Sequence, residues 1–149
     1  MTTAPGFRFS HRLRVRWAEV DPQGVVFNGN YLTYFDVGIT EYWRALGLAY
    51  PDGFLKHGVD TFAVKATIEF SSPARYDDEI DVSVRCSKLG RTSFTTMLAV
   101  RRGDELLVTG EMIYVCVDPK ARKPVPVPDA IREKIRDYER SAPAETPPS

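Results

Sequence analysis

The feature that most restricts how this chain folds is a single change of hydrophobic period. From Tyr31 to Leu46 the apolar residues Leu32, Phe35, Ile39, Trp43 and Leu46 recur at intervals of three and four, with Tyr31, Tyr34 and Tyr42 widening the stripe. Three-and-four spacing lines up one face of a helix, and Gly47 is placed to stop it. Beyond it the period drops to two, the signature of strands with one face buried. Phe62, Val64, Ala66, Ile68 and Phe70 alternate with polar residues, as do Ile80, Val82, Val84 and Cys86, and then Phe94, Thr96, Leu98 and Val100. The turn Arg101-Arg102-Gly103-Asp104 leads into a last strand, Leu106 to Val117, which is apolar on both faces and is therefore predicted to be central or covered by an interface. Ahead of the helix, Phe7, Phe9, Leu13, Val15 and Trp17 alternate with Arg8, Arg12, Arg14 and Arg16, which predicts a half-buried strand with a solvated arginine face. One strand, one long helix and four strands make an α+β domain with an antiparallel sheet packed on that helix.

The flanks add little to this core. Residues 1–6 read as a tail and 49–60 as a connection punctuated by Pro51, Gly53 and Gly58. After Asp118-Pro119 come a proline-spaced connector and a short helix from Ala130 to Arg140, with Asp129 as its predicted cap. The domain is predicted to span 7–140, and 141–149, rich in proline and polar residues, to be a disordered tail. With 20 basic and 20 acidic residues, nothing global points to nucleic acid or to an anionic membrane. No apolar run reaches membrane-spanning length and the N-terminus lacks the order of a signal peptide, so a cytoplasmic address is expected. Cys86 and Cys116 are predicted to be free buried thiols, and His11 and His57 stand apart from any second ligand, so no metal site is expected.

Chemistry is concentrated in Trp17-Ala18-Glu19-Val20-Asp21-Pro22-Gln23-Gly24-Val25-Val26-Phe27-Asn28-Gly29-Asn30-Tyr31. Asp21-Pro22 opens a turn, Gly24 permits backbone that a side chain would obstruct, and Asn28 to Asn30 suit the start of a helix. On one reading Asp21 only caps the turn. On the other, free N–H groups at the positive end of a helix gather beside a lone carboxylate, an arrangement suited to a carbonyl oxygen turning into an oxyanion.

The segment Asp21-Pro22-Gln23-Gly24-Val25-Val26-Phe27-x-x-Asn30-Tyr31, followed by an aromatic amphipathic helix, resembles the hotdog-fold acyl-CoA thioesterases, most of all their 4-hydroxybenzoyl-CoA thioesterase branch. Pro73-Ala74-Arg75-Tyr76-Asp77-Asp78-Glu79 and Gly90-Arg91-Thr92-Ser93-Phe94 extend the resemblance, which covers roughly residues 8 to 118. It implies a hotdog fold, with a curved sheet wrapped around the central helix. It also implies hydrolysis of an aromatic or short-chain acyl-CoA to coenzyme A and a carboxylic acid, with no cofactor beyond the coenzyme A of the substrate. A homo-oligomer, either a dimer or a dimer-of-dimers homotetramer, is implied as well.

By that resemblance Asp21 is the nucleophile or general base, the backbone amide of Asn28 polarises the thioester carbonyl, and Gly24 lets substrate approach. Phe27 and Tyr31 are candidate substrate contacts, together with Tyr34 and Phe62, while Arg91, Ser93 and Lys88 are candidates for the coenzyme A phosphates. Arg101 and Arg102 are weaker ones, and Arg75 either meets a ligand or partner subunit or pairs with Asp77 or Asp78. Two departures stand out: many broader relatives have His at Asn28 and Arg at Ile39. Asn cannot act as a general base, which leaves more of the reaction to Asp21. Asp36 and Glu41 are reserve carboxylates, because another branch draws its carboxylate from within the helix. A non-catalytic acyl-CoA-binding module and a hotdog dehydratase or hydratase are the alternative readings.

Overall fold

The computed structural model describes residues 5–146 of the chain. Strand β1 (Phe9–Arg14) leads through a short 3-10 turn (Trp17–Glu19) to helix α1 (Asn30–Ala45) and a single helical turn, α2 (Asp52–Leu55). Strands β2 (Asp60–Phe70), β3 (Glu79–Leu89), β4 (Ser93–Arg102) and β5 (Glu105–Val117) follow, then α3 (Asp129–Tyr138) and a two-residue strand β6 (Ala144–Glu145). The sheet runs β1-β3-β4-β5-β2 with every pairing antiparallel, and β6 lies parallel beside the end of β3. This is the expected hotdog architecture, and β5 sits between β4 and β2, as its two apolar faces require.

Helix α1 lies against the inner sheet face, burying Tyr31, Tyr34, Phe35, Gly38, Ile39, Tyr42 and Trp43. Two glycines set how closely helix and sheet approach. A methyl group on Gly38 would stand 2.6 Å from Val82 Cγ1, and one on Gly110 would stand 2.4 Å from Phe35 Cε2. The buried stripe is rotated from the expected one: the tyrosines form its centre, and Leu32 is 42% exposed. Ile80, Val82, Val84, Cys86 and Leu89 of β3 supply the facing surface. Both cysteines are free, and burial pushes each thiol up to about 12.

Three further expectations are corrected. The β1 alternation does not continue to Trp17, because the strand ends at Arg14 and the chain tightens into the 3-10 turn, leaving that indole 73% exposed. Asp129 is the first residue of α3 rather than its cap; Pro128 occupies the cap position without a side-chain hydrogen bond. The C-terminal segment is structured as far as 146. Ala144 and Glu145 pair with Lys88 and Leu89, and Glu145 meets Arg132 and Arg136. Residues 1–4 and 147–149, the outer parts of the two expected tails, lie outside the described residues. Among the described residues no helix is long and apolar enough to cross a membrane.

Candidate active site

Asp21 sits at the corner of a tight hairpin. Its N–H donates to Val25 O at 2.8 Å, Gly24 N–H donates back to Asp21 O at 2.9 Å, and Val20 pairs with Val26. Gly24 has φ +80°, a left-handed conformation that side chains resist, so glycine is what allows the chain to reverse here. The Asp21 carboxylate accepts the Gln23 N–H at Oδ1, 2.8 Å, which aims the group. Among the described residues Oδ2 has no hydrogen-bond partner.

The hairpin is fastened on two sides. Val26 N–H donates to Ala74 O, and Val25 bridges to Arg75, so the turn docks beside the approach to β3. Phe27 N–H and Asn30 Nδ2 both donate to Glu19 O, at 3.0 and 2.8 Å, so the turn also docks on the start of α1. Gly29 is the helix cap and Asn30 its first residue, so Asn28 stands two residues before the helix begins. Its backbone N–H nonetheless has no acceptor among the described residues. The expected donor thus exists as a free amide just outside the helix rather than as its first residue.

Asp21, Phe27 and Asn28 share a surface hollow of about 530 Å³. An adjoining hollow of about 330 Å³ shares Val25 and Asn28 and is floored by Val26, Tyr31 and Phe70. Tyr31 is buried and its hydroxyl accepts the Ala74 N–H at 3.1 Å, so the ring is a fixed wall. None of the residues lining either hollow is a histidine. The structure thus places Asp21, Phe27 and Asn28 around one hollow and Asn28 and Tyr31 around the next, with Gly24 in the Asp21 hairpin.

Other expected residues lie elsewhere. Lys88, Arg91 and Ser93 fall at the β3–β4 turn, the far end of an 11-residue strand whose near end adjoins the Asp21 hairpin. At about 3.3 Å per residue that separates them by on the order of 30 Å. Within one chain they cannot crowd around the same thioester. Phe62 lies at the start of β2 under the Arg122 guanidinium, and Phe70 at the strand's other end takes the expected place beside Tyr31. Asp36 lines a separate hollow with Thr40, Trp43 and Tyr114, and Glu41 pairs with Arg44 at 3.2 Å. Arg102 is tied to Asp78 and Glu105. Among the described residues no group of three or more His, Cys, Asp or Glu side chains could hold a metal ion.

Glu19 is the site residue that sequence reasoning missed. Its buried carboxylate accepts the Arg16 N–H and Nε–H, both at 2.8 Å, and the Tyr34 hydroxyl at 2.9 Å. Burial acts to raise this carboxyl, yet the hydrogen bonds from Arg16 and Tyr34 outweigh it and hold Glu19 below its ordinary range. Burial and the facing Glu19 carboxylate push the Tyr34 phenol up, so the hydroxyl remains a donor. Glu19 thus pins the 3-10 turn to α1 two residues before Asp21. Its only signal in the sequence was its spacing, three residues after Arg16 and two before Asp21.

The profile of the Thioesterase-like superfamily matches residues 15–135, from the end of β1 to within α3. The chain belongs to that superfamily. The acyl-CoA thioester hydrolase YbgC of Escherichia coli is 29% identical over 124 residues, 83% of this chain and 92% of the relative. A thioesterase from Thermus thermophilus, solved with coenzyme A and zinc, is 28% identical with a TM-score of 0.77, covering 90% of this chain and 96% of that one. A 1,4-dihydroxy-2-naphthoyl-CoA thioesterase from Synechocystis, 21% identical, covers 87% of this chain and 96% of its own with a TM-score of 0.79, and shares the fold.

Proposed function

We propose that this thioesterase hydrolyses acyl-CoA thioesters with Asp21 as its reactive carboxylate and the backbone amide of Asn28 as oxyanion donor. The observation that carries this reading is the pairing of a free acceptor with a free donor. Asp21 Oδ2 and Asn28 N–H both lack partners among the described residues, and both residues line one hollow. A thioester carbonyl is electrophilic and its thiolate leaves readily, so an aimed carboxylate and one amide are an adequate set. Oδ2 either attacks the carbonyl carbon, giving an anhydride that water cleaves, or removes a proton from an attacking water. Both routes use the same oxygen. The Val26–Tyr31–Phe70 hollow offers the acyl group an apolar berth large enough for an aromatic ring or a short chain.

The reading includes a homo-oligomer. Among the described residues strand β2 pairs only with β5, so its other edge presents unpaired backbone, and Val64 and Phe70 on it are 60% and 53% exposed. Leu32 and Val37 on α1 are exposed as well, and an apolar sheet edge of this kind is suited to a second copy of the chain. In such an assembly Arg91, Ser93 and Lys88 would reach a substrate bound at Asp21 across a subunit contact.

The test is coenzyme A release from a panel of aromatic, short-chain and long-chain acyl-CoAs by the wild type and Asp21→Asn. Turnover that collapses in the variant supports the reading. Turnover that survives transfers the role to Asp36 or Glu41, and no turnover of any acyl-CoA favours a binding module.

A further inference from the structure

Trp17 and Tyr76 are large aromatic side chains left in water, 73% and 50% exposed, with ring centroids 5.0 Å apart and planes at 89°. Neither belongs to the buried core. They come from segments distant in sequence, the 3-10 turn and the approach to β3, and they meet beside the Asp21 hairpin. With Val20, Asp21, Pro22 and Gly24 they line a hollow of about 450 Å³. That hollow shares Asp21 and Pro22 with the one in which Asn28 lies, which in turn shares Val25 and Asn28 with the apolar berth at Tyr31 and Phe70. Asp21 therefore stands between an apolar recess and an exposed aromatic pair.

A thioester has two arms, and the site has two directions. With its carbonyl at Asp21 and Asn28 and its acyl group against Tyr31 and Phe70, its thiol arm leaves past Trp17 and Tyr76. Arg75 immediately precedes Tyr76 in the chain and is exposed. Its side chain forms no ion pair among the described residues, because Asp77 is held by Arg14 and Asp78 by Arg102. The carboxylates around it are engaged by other arginines: Asp77 and Asp78 in its own turn, and Glu105, near enough to feel the Arg75 charge, by Arg102. Free aromatic faces next to a free guanidinium suit a ligand with a long uncharged chain, an adenine ring and phosphates.

We propose that Trp17, Tyr76 and Arg75 bind the coenzyme A arm of the substrate, the aromatic pair meeting its chain or adenine and Arg75 its phosphates. This rests on the proposed reaction at Asp21, and it adds a cation of the same chain to Arg91, which would come from a second subunit. The test compares one acyl group carried on coenzyme A, on pantetheine and on N-acetylcysteamine. Trp17→Ala and Tyr76→Ala are expected to raise KM for the coenzyme A thioester about tenfold, the loss of one good aromatic contact, with kcat nearly unchanged. The N-acetylcysteamine thioester, which lacks the arm, should be hydrolysed as by the wild type, which also reports that the variants are folded. A loss retained on pantetheine assigns the contact to the chain; a loss confined to coenzyme A assigns it to the nucleotide. Arg75→Ala should affect the coenzyme A thioester alone. Equal losses on all three substrates, or no loss on coenzyme A, overturn the proposal. A wild type that turns over none of them overturns the reaction at Asp21 instead. A separate readout then remains: free coenzyme A should change the emission of exposed Trp17, Trp43 being buried, and absence of any change overturns the binding surface itself.

Discussion

The two ends of β3 are built on opposite principles. At its start, beside the Asp21 hairpin, Asp21 Oδ2, the Asn28 N–H and the Arg75 side chain have no partner among the described residues, and two aromatic rings stand in water beside Asp21. At its other end most groups are satisfied from within, although Glu139 Oε1 and Arg85 Nε are buried without partners among the described residues. The Arg132 guanidinium, 3% exposed, donates to the carbonyls of Gly90 and Arg91 and to Val127 O at 3.4 Å, and pairs with Glu145. Close by, the Tyr42 hydroxyl donates to Glu139, whose carboxylate also accepts the Cys86 N–H at 3.1 Å. The lesson is that a ligand site keeps donors and acceptors free, whereas a structural closure leaves few.

Substitutions can break that contrast, and the largest stability effect belongs to the closed end. Arg132→Met should destabilise the protein by about 3 kcal/mol, since buried carbonyls lose their donor, and denaturant unfolding would read it. At the helix–sheet contact, Gly110→Ala forces a methyl group onto Phe35 and should cost about 1–3 kcal/mol by the same assay. At the open end, Glu19→Gln should lower kcat by about tenfold with KM held, because the hairpin loses its charged anchor while the pocket walls remain. A Glu19 variant with unchanged kcat would remove it from the site.

The smallest expected effect is a pH dependence. Burial raises the Glu139 carboxyl above its ordinary value, against hydrogen bonds from Tyr42 and Cys86 and the nearby Arg85 and Arg8. The folded state then holds this proton more tightly than the unfolded one. Its destabilising contribution is therefore absent in acid and grows as pH rises from the ordinary carboxylate range through the raised value. Thermal unfolding of wild type and Glu139→Gln across that range should show the wild type losing stability relative to the variant as pH rises.

Much of this was legible in the sequence, and what was not has physical causes. The five long strands and α1 followed from side-chain period, because half-buried strands and a buried helix stripe leave different repeats. Trp17 defeated that logic: the alternation of β1 runs on past the hydrogen-bonded strand, so pattern alone cannot see the 3-10 turn. Asp21, Gly24 and Asn28 were recognisable because one short turn carries them all. Arg91 lies beyond the opposite end of β3 from them, a separation that a linear motif does not reveal. Glu19 was hidden by its neighbours; only the fold shows Arg16 and Tyr34 closing on it. The Ala144–Glu145 strand was read as tail because its partners, Lys88, Arg132 and Arg136, are distant in sequence.

The most direct test measures kcat and the unfolding midpoint side by side for Asp21→Asn and Arg132→Met. The account predicts that Asp21→Asn loses about 10²–10⁴-fold in kcat with its unfolding midpoint unchanged, and that Arg132→Met unfolds earlier while its folded fraction keeps kcat. An Asp21→Asn enzyme that turns over like the wild type, or an Arg132→Met enzyme that is stable but inactive, would contradict the division of labour between the two ends of β3.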